Sequence, residues 1–495
     1  MQIVIKSVLL LILFAPAIYF AAKQKKWYLY LLFAFLGILP EQFSISLHDK
    51  LPLLTASRIL IVIAATFWLI QRIRERNFKI PVSLLVFFCI NLGISVFHLF
   101  SDTDEINRIF LLIAERALVV LIIMDMIASR EEFDRCVDFM ILGCCAAAVM
   151  GICQTVFDYD ISQVLRWRET VTSAMTSNRM GLTRAYATKS AIPYGCYCAF
   201  MVLPIYYRLQ GTGKQRYSIA FALNFVALFS TFTRSAWLCV AGIAVLVFCT
   251  RPLKTLRSLW PSLVLILTLC LGFSLIQPKF GAALTETAKS TWNTVIQALP
   301  DEWFQHGGTA SYDPTDPTAP TEPDVPDKPT FELSENFGDN ANNPTYSRLF
   351  QWSSVKYMME EGTFLLGNGY NAFRQGQIYF IHKNWGSKYM VAPVLDVGGV
   401  SIFAESGLIG MLSYLGLLGY MLVQSLRRRD RNGIFDFYKL MIFSILLYLL
   451  LNVLSAFVNV ALVWQVFGLF YAYENLYKRG LLGQTPAITD KKWQF

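Results

Sequence analysis

The sequence is poor in charged residues and in histidine. Only 16% of its 495 residues are charged and 4 are histidine, whereas 55% are hydrophobic. Soluble globular proteins carry about 25% charged and about 45–50% apolar residues. The scarcity of charge excludes an ordinary soluble enzyme and a disordered chain. The few histidines and scattered cysteines form no grouping typical of a metal site, so we predict neither a metal nor another cofactor.

Cysteine is absent from the one long polar stretch. The 10 cysteines lie in or beside apolar runs, and none falls between residues 278 and 395. This distribution excludes a secreted module held together by disulfides. We interpret the cysteines as core or lipid-facing side chains, and a cysteine-free loop suits an oxidising compartment.

Hydrophobic residues concentrate in runs, most of them long enough to cross a hydrocarbon core about 30 Å thick. The thirteen runs are 5–22, 27–39, 57–71, 80–100, 109–128, 137–157, 190–208, 217–232, 235–250, 259–277, 397–424, 437–455 and 458–474. They predict an all-α polytopic membrane protein with about 12–14 transmembrane helices and one large external loop.

Basic residues in short loops set the orientation. The net charge of +9 sits mainly between the apolar runs, which is typical of topology signals rather than of a nucleic-acid-binding groove. Lys/Arg-rich loops face the cytoplasm, and here they are 23–26, 72–79, 130–135, 208–216, 251–257 and 427–431. The loops 40–56, 101–108, 158–189 and 278–396 are then external, and periplasmic in the inner membrane of a bacterium. The N-terminus is external as well, unless the first two runs form a re-entrant pair.

These assignments divide the chain into 1–277 with about ten spans, the external loop 278–396, the last spans at 397–475 and a cytoplasmic tail at 476–495. Within the loop, 312–330 is rich in Pro, Asp and Thr and cannot bury a core. Residue spacing predicts helices on either side of it, at 285–299 and 346–361.

Arginines at the external membrane boundary are the first candidates for a functional site, because charge is costly there. Arg184 lies where the loop 158–189 enters a span, with Arg179 and Lys189 close by. Three cations at one helix entrance fit an anion site, although an interfacial arginine can also be a purely structural, snorkelling side chain. Both interpretations stay open.

Two more arginines follow along the chain. Arg234 sits on a tight external turn between two apolar runs, and no acidic residue lies within 20 positions on either side. It therefore needs a partner from elsewhere in the fold or from a ligand. Arg348 opens the predicted helix 346–361, and a helix N-terminus already favours anions. A solvent-facing arginine is the alternative for Arg348.

Carboxylates appear where the long loop returns to the membrane. Asp396 opens the apolar run and is either a helix cap or a catalytic base. Glu405 lies about two and a half turns deeper, where a carboxylate is costly unless paired. His382 is the nearest histidine in sequence, whereas His98 and the others belong to other parts of the chain. Several arginines with few carboxylates at a membrane boundary are the chemistry of a diphosphate site.

At these residues the sequence resembles the O-antigen ligase and O-antigen polymerase superfamily of bacterial envelope glycosyltransferases. The stretch LFSTFTRSAW is similar to the family's Thr/Ser-Arg turn, at Arg234. The stretches TYSRLFQW and LLGNGYNAF are similar to its large-loop pattern of Ser-x-Arg followed by Gly-x-Gly, at Arg348, Gly367 and Gly369.

Two further motifs extend the resemblance over about residues 110–475. Arg184 with Gly195 resembles the polymerases' arginine-to-glycine motif, and AESGLIGMLSYLGLLG resembles the segment after the large loop. Ligases typically carry a His-Asn pair before the glutamate of that segment, but here Asp396 and Val397 occupy the two positions. The departure favours a polymerase, or a relative with another acceptor, in which Asp396 serves as the base.

The resemblance implies a lipid-phosphosugar-dependent glycosyltransferase fold, an undecaprenyl-diphosphate-linked oligosaccharide donor and metal-independent transfer with inversion. Its partners would be that glycan, the bilayer and a chain-length regulator. The catalytic residues implied are Asp396, Arg234 and Arg348, and the substrate-binding residues are Arg184, Arg179, Lys189, His382, Glu405 and Arg374. The alternatives are a ligase that transfers glycan to lipid A-core or another acceptor, a transporter or flippase of a lipid-linked anion, and a membrane scaffold.

Overall fold

A computed structural model describes residues 14–16, 18–20, 23, 26–36, 39, 44–45, 54–75, 80–100, 105–158, 178–179, 181–187, 191–250, 252–298, 358–359, 362–369, 398–430, 435–454 and 461–482. Most of them are helical. In chain order the helices are α1 (Trp27–Phe35), α2 (Ala56–Glu75), α3 (Val82–Leu99), α4 (Glu105–Phe110), a π-helical segment (Leu111–Ala117), α5 (Leu118–Met126), α6 (Arg130–Val156), α7 (Ala191–Thr212), α8 (Gln215–Ser230), α9 (Arg234–Thr250), α10 (Pro252–Ile276), α11 (Pro278–Ala298), α12 (Gly398–Arg428), α13 (Phe437–Leu454) and α14 (Ala461–Lys478).

Two short antiparallel hairpins lie in loops predicted to be external. In the first, β1 (Ser44–Ile45) pairs with β2 (Leu54–Thr55). In the second, β3 (Asn178–Arg179) pairs with β4 (Leu182–Thr183). Strands of two residues carry no apolar period, so the sequence pattern gives no sign of either hairpin.

Six helices of the described chain are long and apolar enough to cross a membrane: α2, α3, α6, α10, α12 and α13. The chain is thus an all-α polytopic membrane protein, as the sequence predicts. The predicted total of about 12–14 spans stays a prediction, because α8 and α9 have 16 and 17 residues and α1 has only 9.

The outer face of α10 is apolar and uncovered. Leu253, Leu267 and Leu275 expose 83%, 62% and 85% of their surface, and Trp260 exposes 61%. A row of exposed leucines along a 25-residue helix is unfavourable in water but natural against lipid acyl chains. We therefore treat this face as lipid-facing.

Small residues let the buried helices approach one another closely. α5 packs on α14, α8 packs on both α6 and α7, and α12 packs on α3 and α13. A Cβ added to Gly468 on α14 would lie 2.8 Å from Cβ of Ile123 on α5. Such small-residue contacts are typical of helix packing inside membranes, where dispersion between close backbones replaces hydrophobic burial.

Ion pairs join the helix ends that carry the basic loops. Arg208 at the end of α7 donates from Nε to Oδ1 of Asp138 on α6 over 2.7 Å, and Arg216 at the start of α8 pairs with the same carboxylate over 3.0 Å. Arg428 at the end of α12 pairs with Glu474 on α14. These contacts join basic residues at the ends of α7 and α12 and the start of α8 to carboxylates of α6 and α14.

The segment after residue 277 begins as a helix rather than as a loop. The helix predicted at 285–299 is present, but α11 starts earlier, at Pro278, directly after α10. Its buried stripe is Phe280, Ala283, Thr287 and Thr291. The sequence does not predict the earlier start, because Lys279 and the three small residues after Phe280 give no helical spacing of large apolar side chains. In the structure, Phe280 packs in the core and holds the first turn of the helix.

Candidate functional site

The turn between α8 and α9 is held in one conformation by its own backbone. The N–H of Thr231 donates to the carbonyls of Ala227 and Leu228 over 3.1 and 3.2 Å, which ends α8. Phe232 adopts φ 48°, a left-handed value that is rare for a bulky residue. Its side chain is only 1% exposed and its ring centroid lies 6.2 Å from that of Phe280 on α11. Burial of the ring thus fixes a backbone shape that the residue would otherwise avoid.

Arg184 binds this turn directly. Its Nε donates to the carbonyl of Thr231 over 2.7 Å, and its Nη2 donates to Oγ1 of Thr233 over 3.0 Å. The N–H of Ala185 donates to the carbonyl of Ser230 over 2.9 Å. The Arg184 side chain and the N–H of Ala185 therefore each satisfy one carbonyl oxygen left open at the C-terminus of α8, a structural role that positively charged side chains often take.

A buried glutamine holds the segment that carries Arg184. Oε1 of Gln154 accepts from the N–H groups of Tyr186 and Ala187 over 3.1 and 2.7 Å. Its Nε2 donates to the carbonyl of Ala187 over 2.8 Å. Ala187 has φ 45°, so the glutamine stabilises a backbone shape that alanine seldom adopts.

Gly195 on α7 makes room for the two threonines of the turn. A Cβ at this position would lie 2.8 Å from Oγ1 of Thr233 and 2.9 Å from Oγ1 of Thr231. The two residues of the arginine-to-glycine motif therefore both lie against the turn between α8 and α9.

Arg234 is the first residue of α9 and is half-buried. Its Nη1 donates to Oγ of Ser290 on α11 over 2.7 Å. Within the part of the chain that the structure describes, no carboxylate lies at ion-pair distance from Arg234. A guanidinium at a helix N-terminus without a carboxylate partner is suited to binding an anion. We call Arg184, Thr231, Thr233, Arg234 and Ser290 the arginine turn.

A second polar region forms where α12 is interrupted. Gly407 has φ 63° and ψ −166°, which breaks the helix two residues after Glu405. Residues 364–369 lie against the break. The N–H groups of Leu408 and Ile409 donate to the carbonyls of Phe364 and Leu365 over 2.9 and 3.1 Å. The backbone N–H groups that follow the break are thereby hydrogen-bonded inside the protein, as a helix interrupted within a membrane requires.

The Gly-x-Gly sequence allows that contact. Gly367 has φ 80°, and a Cβ there would lie 2.6 Å from the carbonyl carbon of Glu405 and from the nitrogen of Gly407. Gly369 has φ 83°, and its Cβ would lie 2.6 Å from Oε1 of Glu105. Both glycines therefore combine a left-handed backbone with a space that excludes any side chain.

Charged side chains of α4 and the π-helical segment surround Glu405. Nη1 of Arg108 donates to the backbone carbonyl of Glu405 over 2.9 Å and lies 3.8 Å from Oε1 of the fully buried Glu105. The Glu405 carboxylate hydrogen-bonds to Ser401 and interacts electrostatically with Arg108 and Arg116. We call Glu105, Arg108, Arg116 and Glu405 the Glu405 cluster.

The π-helical segment extends this charged region into the bundle. Arg116 donates from Nη1 to the hydroxyl of Tyr414 on α12, and its guanidinium lies 5.6 Å from the ring centroid of Trp464 on α14. Glu115 pairs with Nε of Arg58 on α2 over 2.6 Å. Segments of π-helix occur frequently at functional sites, and paired charges inside a membrane protein are functional candidates by default.

A scan against protein-family models finds no match for this chain, and a search of curated proteins finds none either. The superfamily therefore rests on the motifs alone and stays a prediction. Among the described residues, no group of three His, Cys, Asp or Glu side chains is arranged to hold a metal ion.

Three of the predicted site residues, Arg184, Arg234 and Glu405, lie in these two regions. Arg184 and Arg234 meet at the arginine turn, and Glu405 lies in the cluster named after it. The backbone of Arg179 lies in β3, and its side chain lies outside the described residues. The other predicted residues that lie outside them are Lys189, Arg348, Arg374, His382 and Asp396.

Several charged residues of the Glu405 region were missed in the sequence. Arg108 was assigned to an external loop, and Glu115 and Arg116 were included in an apolar run. His98 was assigned to another part of the chain, yet its Nε2 lies 3.0 Å from the carbonyl of Leu366, beside the Gly-x-Gly sequence. The adjacent charges at 115 and 116 inside an apolar run were the signal that could have revealed this region.

Proposed function

We propose that this chain is a membrane glycosyltransferase that polymerises undecaprenyl-diphosphate-linked oligosaccharide repeats at the external face of a bacterial inner membrane. A ligase that transfers the glycan to lipid A-core or another acceptor is the alternative within the same class. The proposal rests on the motif resemblance together with the chemistry of the arginine turn.

The observation that supports it most is the position of Arg234. Its guanidinium opens α9, donates to a neutral hydroxyl on Ser290 and has no carboxylate partner among the described residues. Arg184 donates to Thr231 and Thr233 of the same turn. Two guanidinium groups and a helix N-terminus favour a group with several negative oxygens, and a diphosphate has this character.

The reaction then assigns a role to each group. In an inverting transfer, an acceptor hydroxyl attacks the anomeric carbon of the donor sugar and forms the new C–O bond. The bond to the diphosphate oxygen breaks, and its electron pair leaves with the diphosphate. Arg234 neutralises the charge that develops on this leaving group. The hydroxyl proton passes to a carboxylate, for which Asp396 is the first candidate and Glu405 the next.

The Glu405 cluster gives a second reason to expect an anionic or sugar ligand. Glu105 is fully buried, and Arg108 and Arg116 lie around the Glu405 carboxylate. Buried charges are expensive to maintain and are often retained because a site needs them. We expect this cluster to position the loop 362–369 and, through it, the substrate.

A transporter of a lipid-linked anion is the second candidate, favoured by one observation. α12 is discontinuous at Gly407, and the charged residues Glu115 and Arg116 lie in a π-helical segment. Transporters commonly build substrate sites from such broken helices. Sugar transfer would then be absent, and the lipid-linked glycan would remain on the cytoplasmic side when the protein is removed.

A deletion strain separates these functions. Loss of a polymerase leaves single repeats on the lipid acceptor, and loss of a ligase leaves polymer that is not attached to it. Loss of a transporter leaves the lipid-linked repeat inaccessible to a lectin added to intact spheroplasts. The proposal predicts single repeats that are lectin-accessible, and inaccessible repeats would overturn it.

A further inference from the structure

The other end of the bundle contains an open pocket that the proposed function does not use. It has a cavity volume of about 100 Å³ and lies at the ends of α7 and α9 and the starts of α10 and α13. Its lining residues are Tyr206, Gln210, Thr250, Lys254, Thr255, Phe435 and Lys439. The two charged residues among them are lysines, so the pocket favours an anion.

Hydrogen-bonding side chains form the floor of this pocket. Nε2 of Gln210 donates to the hydroxyl of Tyr206 over 3.1 Å, and that hydroxyl lies 3.1 Å from Oγ1 of Thr255. Phe435 packs edge-on against Tyr206 with ring centroids 4.8 Å apart. The floor is therefore polar and fixed, with an aromatic wall at one side.

The lysines differ in their surroundings. Lys254 is exposed on the first turn of α10, and no described carboxylate lies at ion-pair distance from it. Lys439 on α13 is half-buried beside Asp436. The Asp436 carboxylate accepts from the backbone N–H groups of Lys439 and Asp430 over 2.9 and 2.6 Å, so it also caps the start of α13.

The pocket borders the start of α10, whose exposed apolar residues lie close by in sequence. Leu253 next to Lys254 exposes 83% of its surface, Leu256 exposes 44% and Trp260, about two turns further along, exposes 61%. Tryptophan at the end of a span is typical of the membrane–water interface. A headgroup in the pocket would therefore continue into acyl chains lying along α10.

We propose that this pocket binds the phosphate of an anionic phospholipid headgroup. The lysines supply the charge and the ammonium donors, and the exposed leucines of α10 accept the acyl chains. Basic pockets between spanning helices are known to take anionic headgroups, and each basic residue near such a surface changes the affinity about fivefold. The site is independent of sugar transfer, because it lies at the opposite ends of α7 and α9 from the arginine turn.

Native mass spectrometry of the purified full chain in detergent tests the site. Phosphatidylglycerol is titrated into wild type, Lys254→Gln and Lys254→Gln/Lys439→Gln, with phosphatidylcholine as the uncharged comparison. We expect the single variant to bind phosphatidylglycerol about fivefold more weakly and the double variant about 25-fold more weakly. Binding of phosphatidylcholine should be the same in all three proteins.

The matched control is Arg427→Gln/Lys478→Gln, which removes two exposed charges at the ends of α12 and α14, outside the pocket and away from α10. This variant should bind phosphatidylglycerol like wild type. An equal loss in the control would show that only overall surface charge matters and would overturn the proposal. Displacement of phosphatidylglycerol by a millimolar excess of inorganic phosphate would identify a free-anion site instead. Lys254 is exposed, so Lys254→Gln should fold even if the double variant does not. Unchanged binding of phosphatidylglycerol by Lys254→Gln would also contradict the proposal.

Discussion

Arg184 and Arg234 contact the same turn in different ways. Arg184 donates to a backbone carbonyl and to a threonine hydroxyl, so part of its hydrogen-bonding capacity stabilises the fold. Arg234, the first residue of α9, donates to the hydroxyl of Ser290 on α11. We therefore expect loss of Arg184 to reduce both stability and activity, and loss of Arg234 to reduce activity alone.

Arg234→Ala should lower sugar transfer by about 10²-fold or more, the usual effect of removing one donor that stabilises a developing anion. Arg234→Lys should restore little activity, because an ammonium does not reproduce the forked contact of a guanidinium. Polymer length on gels and membrane abundance on immunoblots measure the two effects separately. Near-normal polymer from the lysine variant would mean that the arginine contributes only charge.

Asp396→Asn distinguishes a catalytic base from a helix cap. Asparagine caps a helix as well as aspartate does but cannot accept the proton at neutral pH. If Asp396 is the base, transfer should fall by about 10²-fold or more while the amount of folded protein stays the same. A fully active Asp396→Asn enzyme would transfer the role to Glu405 or His382, and Glu405→Gln and His382→Ala are then the variants to assay.

At the scale of elements, the break in α12 depends on Gly367. An alanine there must adopt a left-handed φ and place its Cβ 2.6 Å from the backbone of Glu405. Gly362 has a similar φ of 72° but nothing within 4 Å of its Cβ position, so Gly362→Ala isolates the conformational cost alone. We expect Gly362→Ala to cost about 1 kcal/mol and Gly367→Ala clearly more. Equal melting temperatures for the two variants would contradict the close packing of 362–369 against the break.

The contact between α7 and the arginine turn gives a second prediction at this scale. Gly195→Ala should destabilise the protein by about 1–3 kcal/mol, because the added methyl group meets the hydroxyl oxygens of Thr231 and Thr233. Gly211 lies on the same helix with nothing within 4 Å of its Cβ position. Gly211→Ala should therefore be neutral or slightly stabilising in thermal unfolding. If both variants unfold at the wild-type temperature, α7 does not pack on the turn as described.

For the whole molecule, the prediction concerns the membrane orientation. Residues 278–396 should lie outside the cytoplasmic membrane and residues 427–431 inside it, because the basic loops face the cytoplasm. Reporter fusions at Thr318 and Arg429 should therefore report opposite compartments. A signal from the same compartment at both positions would contradict the topology on which the external site depends.

The sequence predicts the helical membrane class, the turn that carries Arg234 and the helix at 285–299, although not the start of that helix at Pro278, because apolar runs and isolated charges act locally along the chain. It does not predict that Gly195 contacts Thr233, or that residues 364–369 satisfy the broken backbone of α12. These contacts join residues that are far apart in sequence. Glu405 was predicted as a site residue, but its charged neighbours were missed for the same reason, since Arg108 and Glu405 are separated by 297 positions.

The most direct test of the account is a transfer assay with purified protein. The full chain is reconstituted in liposomes with an undecaprenyl-diphosphate-linked oligosaccharide, and chain length is followed on gels. We predict a ladder of longer lipid-linked glycans with wild type and with Arg257→Ala, a matched arginine variant at the opposite end of the bundle, and no ladder with Arg234→Ala. A ladder from Arg234→Ala equal to that of wild type, or no glycan growth with folded wild type and a defined donor, would contradict the proposed function.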